Sequence, residues 1–192
     1  MIVLRNGRIR SVARIVDRLW RRTAVVTFIA AIVIPTGLLI GFRIVVTSSV
    51  PKGLWYVHSG AIARGQYALL CLPKDLAEIG RRAGYLPRGS CPGGVLPLMK
   101  RVIALGGDLV AVDRDGIRVN GNLLRGSKPL RRDSHGRFIE SRVAMKEEVV
   151  PAGRMWVLGD WFKSWDSRYF GGVPEDRVIG LGTPLITTPP GS

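Results

Sequence analysis

Cysteine and histidine are nearly missing from this chain, two of each in 192 residues. A closed zinc site draws about four such ligands, so a resident metal centre is not expected. Lysine is scarce as well: only positions 52, 74, 100, 128, 146 and 163 carry it, and the remaining basic residues are arginine. Acidic residues number 14 against 29 basic ones, a net charge of +15. Such an excess points to an anionic partner, either nucleic acid or lipid headgroups. No internal repeat is present, and a hydrophobic content of 46% argues against a disordered polymer.

The longest stretch without charge decides between those partners. Residues 1–23 hold seven arginines (5, 8, 10, 14, 18, 21, 22) and one acid, Asp17, a balance of +6. Ala24 to Phe42 follow as 19 residues without a charge. As a helix rising about 1.5 Å per residue they span roughly 28 Å, close to the hydrocarbon thickness of a bilayer. Pro35 and Gly37 are tolerated better in such a helix than in a soluble one. Arg21 and Arg22 stand at one end and Arg43 at the other, so the positive-inside rule places the N-terminus in the cytoplasm. The expected organisation is a basic cytoplasmic arm (1–23), a transmembrane helix (24–42) and an external domain (43–192). A cleaved secretory signal is the main rival, but its apolar region usually runs only about 7–15 residues. A DNA-binding, self-cleaving repressor fails on order, because 23 residues before an anchor cannot form a helix-turn-helix domain. Nucleic acid is therefore not an expected partner.

Beyond the anchor the texture is mainly β. Strands are expected at 67–72, 107–112, 117–124, 155–160 and 176–182, with turn signals at Asp115-Gly116 and Asn120-Gly121. The one expected soluble helix is 75–86. Residues 125–142, basic and polar, read as an exposed excursion, and the last residues as a frayed tail.

Three short blocks carry chemistry. Residues 45–57 place Ser48 and Ser49 ahead of Pro51 and Gly53, in a segment stiffened by proline and allowed an unusual turn by glycine. Residues 97–108 embed Lys100 among Leu96, Leu98, Met99, Val102 and Ile103. A lysine there either snorkels to water from an edge strand or is desolvated and becomes a general base. Residues 157–172 combine Gly159-Asp160 with Ser164, Asp166, Ser167 and Arg168 among aromatic residues.

Taken in this order after an anchor, the blocks resemble the type I signal peptidase superfamily of serine–lysine peptidases, and within it the conjugative-transfer, TraF-type pilin-maturation branch. The boxes stand here as Ser49-Val50-Pro51-Lys52-Gly53-Leu54-Trp55, as Lys100-Arg101-Val102-Ile103-Ala104-Leu105-Gly106-Gly107-Asp108, and as Gly159-Asp160 with Ser164-Trp165-Asp166-Ser167-Arg168. Cys71 and the Gly89-Ser90-Cys91-Pro92 run are similar to that branch as well. The resemblance implies a signal-peptidase-like β catalytic domain with Ser49 as nucleophile and Lys100 as general base. Thr47 and the Ser49 backbone N–H would meet the oxyanion, and Ser164 would orient the lysine. Arg101, Asp166 and Arg168 would shape the site. Ser48 is a rival nucleophile, since leader peptidases usually place the serine three residues before the proline. Asp160-Trp161 also departs from the leader-peptidase Asp-Asn.

The implied activity is a membrane-anchored endopeptidase in the bacterial inner membrane with a periplasmic catalytic domain and no cofactor, whose partners are a protein precursor and membrane lipid. The precursor would be a pilin or another secreted protein for conjugative type IV secretion. Joining pilin ends into a circle is a possible extension, and general removal of signal peptides is the alternative. Ser49 lies seven residues past Phe42, which keeps it within about 25 Å of the membrane even on an extended linker. Val50, Leu54, Trp55 and Trp161 are expected as exposed apolar residues around the cleft, resting on lipid or binding an extended substrate by strand addition. Cys71 and Cys91 would face an oxidising compartment, where a disulfide is expected, with two separate buried thiols as the alternative. His58 and His135 are expected at the surface.

Overall fold

A computed structural model describes residues 5–143 and 146–188, with side chains from residue 16 onward. The proposed tail beyond Thr188 and the arginines at 5, 8, 10 and 14 of the basic arm lie outside the described residues or side chains. The chain forms two compact units that divide after Phe42.

In the first unit a single 35-residue helix, α1 (Arg5–Leu39), carries Pro35 within it. It is already helical through the arm, so the helix begins well before Ala24, and it stops at Leu39 before the chain turns at Gly41. Val16–Leu39 is long and apolar enough to cross a membrane. Its large side chains are exposed, Phe28 at 68% and Val26 at 66%. Two hydroxyls in this apolar helix are satisfied by its own backbone. Thr23 Oγ1 donates to Trp20 O at 2.9 Å, and Thr36 Oγ1 donates to Ile32 O at 2.8 Å. Back-bonding of this kind lets threonine sit where no water is at hand.

The second unit is mainly β. Its elements are β1 (Phe42–Val45), β2 (Gly53–His58), β3 (Tyr67–Leu70), α2 (Lys74–Arg82), β4 (Arg88–Cys91), β5 (Leu98–Leu105), β6 (Leu109–Val112) and β7 (Ile117–Val119). They continue with β8 (Asn122–Leu123), β9 (Glu147–Val149), β10 (Arg154–Leu158), α3 (Ser167–Phe170), β11 (Val173–Pro174) and β12 (Val178–Thr187). Seven strands form one sheet in the order β1-β2-β12-β3-β5-β10-β11, and four form a second, β8-β7-β6-β9. The Asn120-Gly121 signal closes the β7–β8 hairpin, with both residues at positive φ, 50° and 81°. That is the geometry a two-residue hairpin loop demands.

The strand β5 organises the core. It pairs with β3 on one side, Ala68 opposite Lys100, and with β10 on the other. Leu70, Val102, Val157 and Leu181 of the large sheet pack against Leu76 and Ala77 of α2 and against Tyr169 and Phe170 of α3. Ile103, Ala104, Trp156 and Leu158 pack instead with Val110, Val112, Ile117 and Val119 of the second sheet. A disulfide joins Cys71, just past β3, to Cys91 at the end of β4, with 5.4 Å between their Cα atoms.

One alternative is closed, one expectation is corrected and one is refined. Lys100 is not on an edge strand, so snorkelling to water is closed to it. Val50 and Trp55 are not exposed at a cleft rim: both are fully buried and pack with Met99. The cause is the pairing of β2 with the C-terminal strand β12, which covers Trp55 from a distant part of the chain. Residues 125–142 form a largely exposed loop, yet Ser127 is buried and Ile139 packs against the main core, so the excursion is laid back over the body.

Candidate active site

Four segments far apart in sequence converge at one end of β5. The first is the turn carrying Ser48 and Ser49 between β1 and β2. Val50 anchors it by burial, and the Trp55 indole Nε1 donates to Pro51 O at 2.9 Å. The backbone N–H of Asp160 donates to Ser49 O at 2.7 Å. The serine main chain is thus pinned from both sides while its hydroxyl stays free to point inward.

Lys100, the third residue of β5, is 1% exposed. Its Nζ donates to Ser49 Oγ at 2.8 Å and also to Ser164 Oγ. Ser164 Oγ donates in turn to Ser49 Oγ at 3.2 Å, closing a triangle of two hydroxyls and one amine. The hydroxyl that receives the lysine belongs to Ser49; Ser48 lines the adjoining cleft. Burial lowers the Lys100 pKa from 10.5 to about 8. The Asp166 and Asp160 carboxylates resist that shift, while Arg168 adds to it. Desolvation is the largest cause because an ammonium loses more hydration than an amine when it leaves water.

Ser164 is held by a buried ion pair beneath it. Asp166 caps α3 and accepts from the Arg168 backbone N–H, and its Oδ2 accepts from Gly159 N at 2.9 Å. The Arg168 guanidinium meets both Asp166 oxygens at 2.8 Å. It also donates to Phe162 O at 2.7 Å and Ser164 O at 2.8 Å, so one side chain gathers the loop between β10 and α3. Neither partner is exposed at its side chain. A buried pair is tolerable when every donor and acceptor is used, which is the case here. Gly159 completes the support by having no side chain: a Cβ would lie 2.2 Å from Ser164 Oγ and 3.2 Å from Ser49 O.

A second ion pair borders the site. Arg101 Nε donates to Asp160 Oδ1 at 2.9 Å, and Tyr67 OH donates to Asp160 Oδ2 at 2.6 Å. Burial, reinforced by Asp160, raises the Tyr67 pKa, so the phenol stays a donor. Asp160, Tyr67 and Gly159 carry no expected role from the sequence alone. The Gly-Asp dipeptide at the third block and a phenol in an otherwise apolar strand were the available signals.

Above the triangle lies a cleft of about 300 Å³ whose lining includes Thr47, Ser49, Leu96, Met99, Trp161 and Ser164. Thr47 is exposed on the same wall as Ser49. Trp161 is at the cleft as expected; Leu54 is half-buried on β2. His58 sits apart, bonded to Ser59 O at 2.9 Å and Thr183 Oγ1 at 3.1 Å, and His135 lies in an exposed turn. Chemically, the arrangement offers a hydroxyl next to an amine that gives up its proton near pH 8. That pairing is suited to nucleophilic attack on a carbonyl.

The family profile described as "Signal peptidase, peptidase S26" matches residues 18–185. The plasmid transfer protein TraF of Escherichia coli is 32% identical over 177 residues, covering 91% of this chain and 99% of that protein. The conjugal transfer protein TraF of Agrobacterium fabrum is 36% identical over 157 residues, 80% of this chain and 87% of its own length. Signal peptidase I of Bacillus caldolyticus is 37% identical over 91 residues, 43% of this chain and 49% of that protein.

Proposed function

We propose, on the premise that the chain belongs to the signal peptidase family, peptidase S26, that it is a membrane-anchored serine endopeptidase using Ser49 and Lys100 to mature a protein precursor for conjugative transfer. The observation that carries this reading is the 2.8 Å contact between a fully buried lysine amine and Ser49 Oγ. Ser49 Oγ attacks the scissile carbonyl as Lys100 Nζ takes its proton. The negative oxygen that forms is met by the Ser49 backbone N–H and the Thr47 hydroxyl. Collapse of this intermediate breaks the peptide bond, and the leaving amine takes the proton back from Lys100. Water, or an amine of the substrate, then releases the acyl group from Ser49; with an amine the product is joined rather than hydrolysed. Ser164 holds one Nζ hydrogen and so aims the amine at Ser49. Arg101, Asp166 and Arg168 keep the supporting loops in place.

Val16–Leu39 serves in this reading as an uncleaved anchor in the inner membrane, with the arginines of residues 1–23 on the cytoplasmic side and residues 43–192 in the periplasm. The disulfide supports an oxidising compartment for that domain, and the arginine-rich flank supports the orientation. Two relatives that match most of the chain are named as TraF transfer proteins, which favours a precursor used in conjugative transfer over general signal peptides. Cleft residues and the basic surface of the domain would meet substrate and lipid.

The test is incubation of the purified full chain in detergent with a pilin precursor encoded beside its gene, reading product masses. Cleavage that disappears in Ser49→Ala and Lys100→Ala is expected. A product lighter by one water than the linear form would identify cyclisation. Rescue of cells depleted of their leader peptidase, with the pilin precursor left intact, would favour general signal peptide removal instead.

A further inference from the structure

Behind the turn at residues 161–163 a second cavity of about 160 Å³ adjoins the cleft that holds Ser49. Tyr85, Trp161, Lys163 and Trp165 line both spaces, so the two are immediate neighbours. Leu130 and Ile139 of the 125–142 loop and Tyr169 of α3 add apolar wall, and Arg132, Asp133 and Ser134 add polar lining. The compartment is held rigidly. Tyr85 OH donates to Asp133 Oδ2 at 3.0 Å, and Leu130 N donates to Tyr169 OH at 3.0 Å. The Trp165 ring packs against Phe170 with centroids 5.0 Å apart and against Tyr85 at 5.7 Å.

Three features define what fits. An apolar cavity of about 150 Å³ takes a benzene-sized guest, so this one matches a leucine or phenylalanine side chain. Trp165 is 8% exposed, and its indole N–H has no partner among the described residues. A buried donor without an acceptor is uncommon, and here it belongs to a side chain that lines both spaces. The rim is cationic: Arg132 stacks on Phe138 at 3.8 Å, and Lys163 lies 5.5 Å from the Phe162 ring, neither in an ion pair among the described residues. Asp133 is already held by Arg137 at 2.7 Å.

We infer that this compartment is a specificity subsite. It seats one large apolar side chain of the precursor, at a position further from the scissile bond than the residues held over Ser49, and it rejects lysine or arginine there. The inference rests on the reading of Ser49 and Lys100 as the peptidase dyad. A side chain of this size, once buried, is expected to raise kcat/KM about 10- to 100-fold over alanine.

The experiment uses full-length protein in detergent with a randomised decapeptide library, followed by single-position series carrying Ala, Leu, Phe, Glu or Lys on either side of the cut. One position is expected to favour Leu or Phe over Ala at least tenfold and to disfavour Lys. Ile139→Trp, which fills the compartment, should erase that preference, so that the Leu and Phe peptides are cut no faster than the alanine peptide by the same variant. Ile139→Ala, which enlarges it, should shift the preference from Leu towards Phe. Ser49-dependent cleavage with no position favouring Leu or Phe, or a preference that survives Ile139→Trp, overturns the subsite alone. No Ser49-dependent cleavage of any peptide removes the dyad reading and the subsite with it.

Discussion

The sharpest consequence of the buried lysine is a pair of pH dependences that share one cause. Burial brings the Lys100 amine from 10.5 to about 8, equivalent to about 3 kcal/mol of preference for the neutral form. A general base must be neutral, and at pH 7 about one Lys100 in ten is so, rising to about nine in ten at pH 9. The kcat/KM for precursor cleavage should therefore climb about tenfold from pH 6 to 7, bend near pH 8 and level above pH 9. Stability carries the same signature. Between pH 8 and 10.5 the unfolded chain holds a proton on this residue that the folded chain has released, so stability rises with pH across that window. The contribution is complete above 10.5 and lost as pH falls to 8. Lys100→Met replaces the amine with an apolar chain and removes the effect. Its stability relative to the parent should thus drop by about 3 kcal/mol from pH 7 to pH 10.5, whatever fixed cost comes from the lost hydrogen bonds. The checks are an initial-rate profile from pH 6 to 10 and urea midpoints of both proteins across the same range. An activity limb centred near 6.5 would point to an imidazole, and one near 10.5 to a solvated lysine. Cleavage by Lys100→Met, or a stability difference flat with pH, refutes the reasoning outright.

Three further outcomes follow from the packing around the dyad. Gly159→Ala places a methyl group against Ser164 Oγ and near Ser49 O; kcat should fall about 10²-fold with little change in KM, read by steady-state kinetics. Arg168→Met strands the Asp166 carboxylate and several loop carbonyls in a dry interior; a loss of about 3–5 kcal/mol is expected in chemical denaturation. Thr47→Val keeps the shape but removes the oxyanion donor assigned here; kcat should drop about 10²–10³-fold while the fold and the pH profile stay as they are.

The β texture of the domain was legible in the chain because strand and turn signals are local. The short apolar runs at 67–72 and 107–112 contain strands β3 and β6, and the Asn120-Gly121 signal closes a hairpin. The serine, lysine and Ser164 blocks were legible too, through their order and spacing. The strand β5 itself was not among the expected strands. Its near-continuous apolar burial shows no alternation, since its residues feed cores on both faces of the large sheet. Val50 and Trp55 were misjudged for a similar reason. Next to Ser49 they look like a cleft rim, and only the pairing of β2 with β12 buries them. Asp160 offered no hint that its backbone N–H would fix Ser49 O, because main-chain donors look alike in every residue.

What the sequence determined by itself was the apolar N-terminal helix, the β character of the rest, and the residue types able to do serine–lysine chemistry. These follow from short-range patterning and covalent identity. The tertiary structure alone decided whether those residues meet. Ser49 and Lys100 are 51 residues apart, and Lys100 and Ser164 are 64 apart. Desolvating the amine required β5 to be flanked by β3 and β10 and closed by the loop that Arg168 gathers. A lysine in an apolar run has two fates, snorkelling or burial. The choice belongs to neighbours supplied from elsewhere in the chain, which is why Lys100 stands out in the sequence while its burial is decided only by the fold.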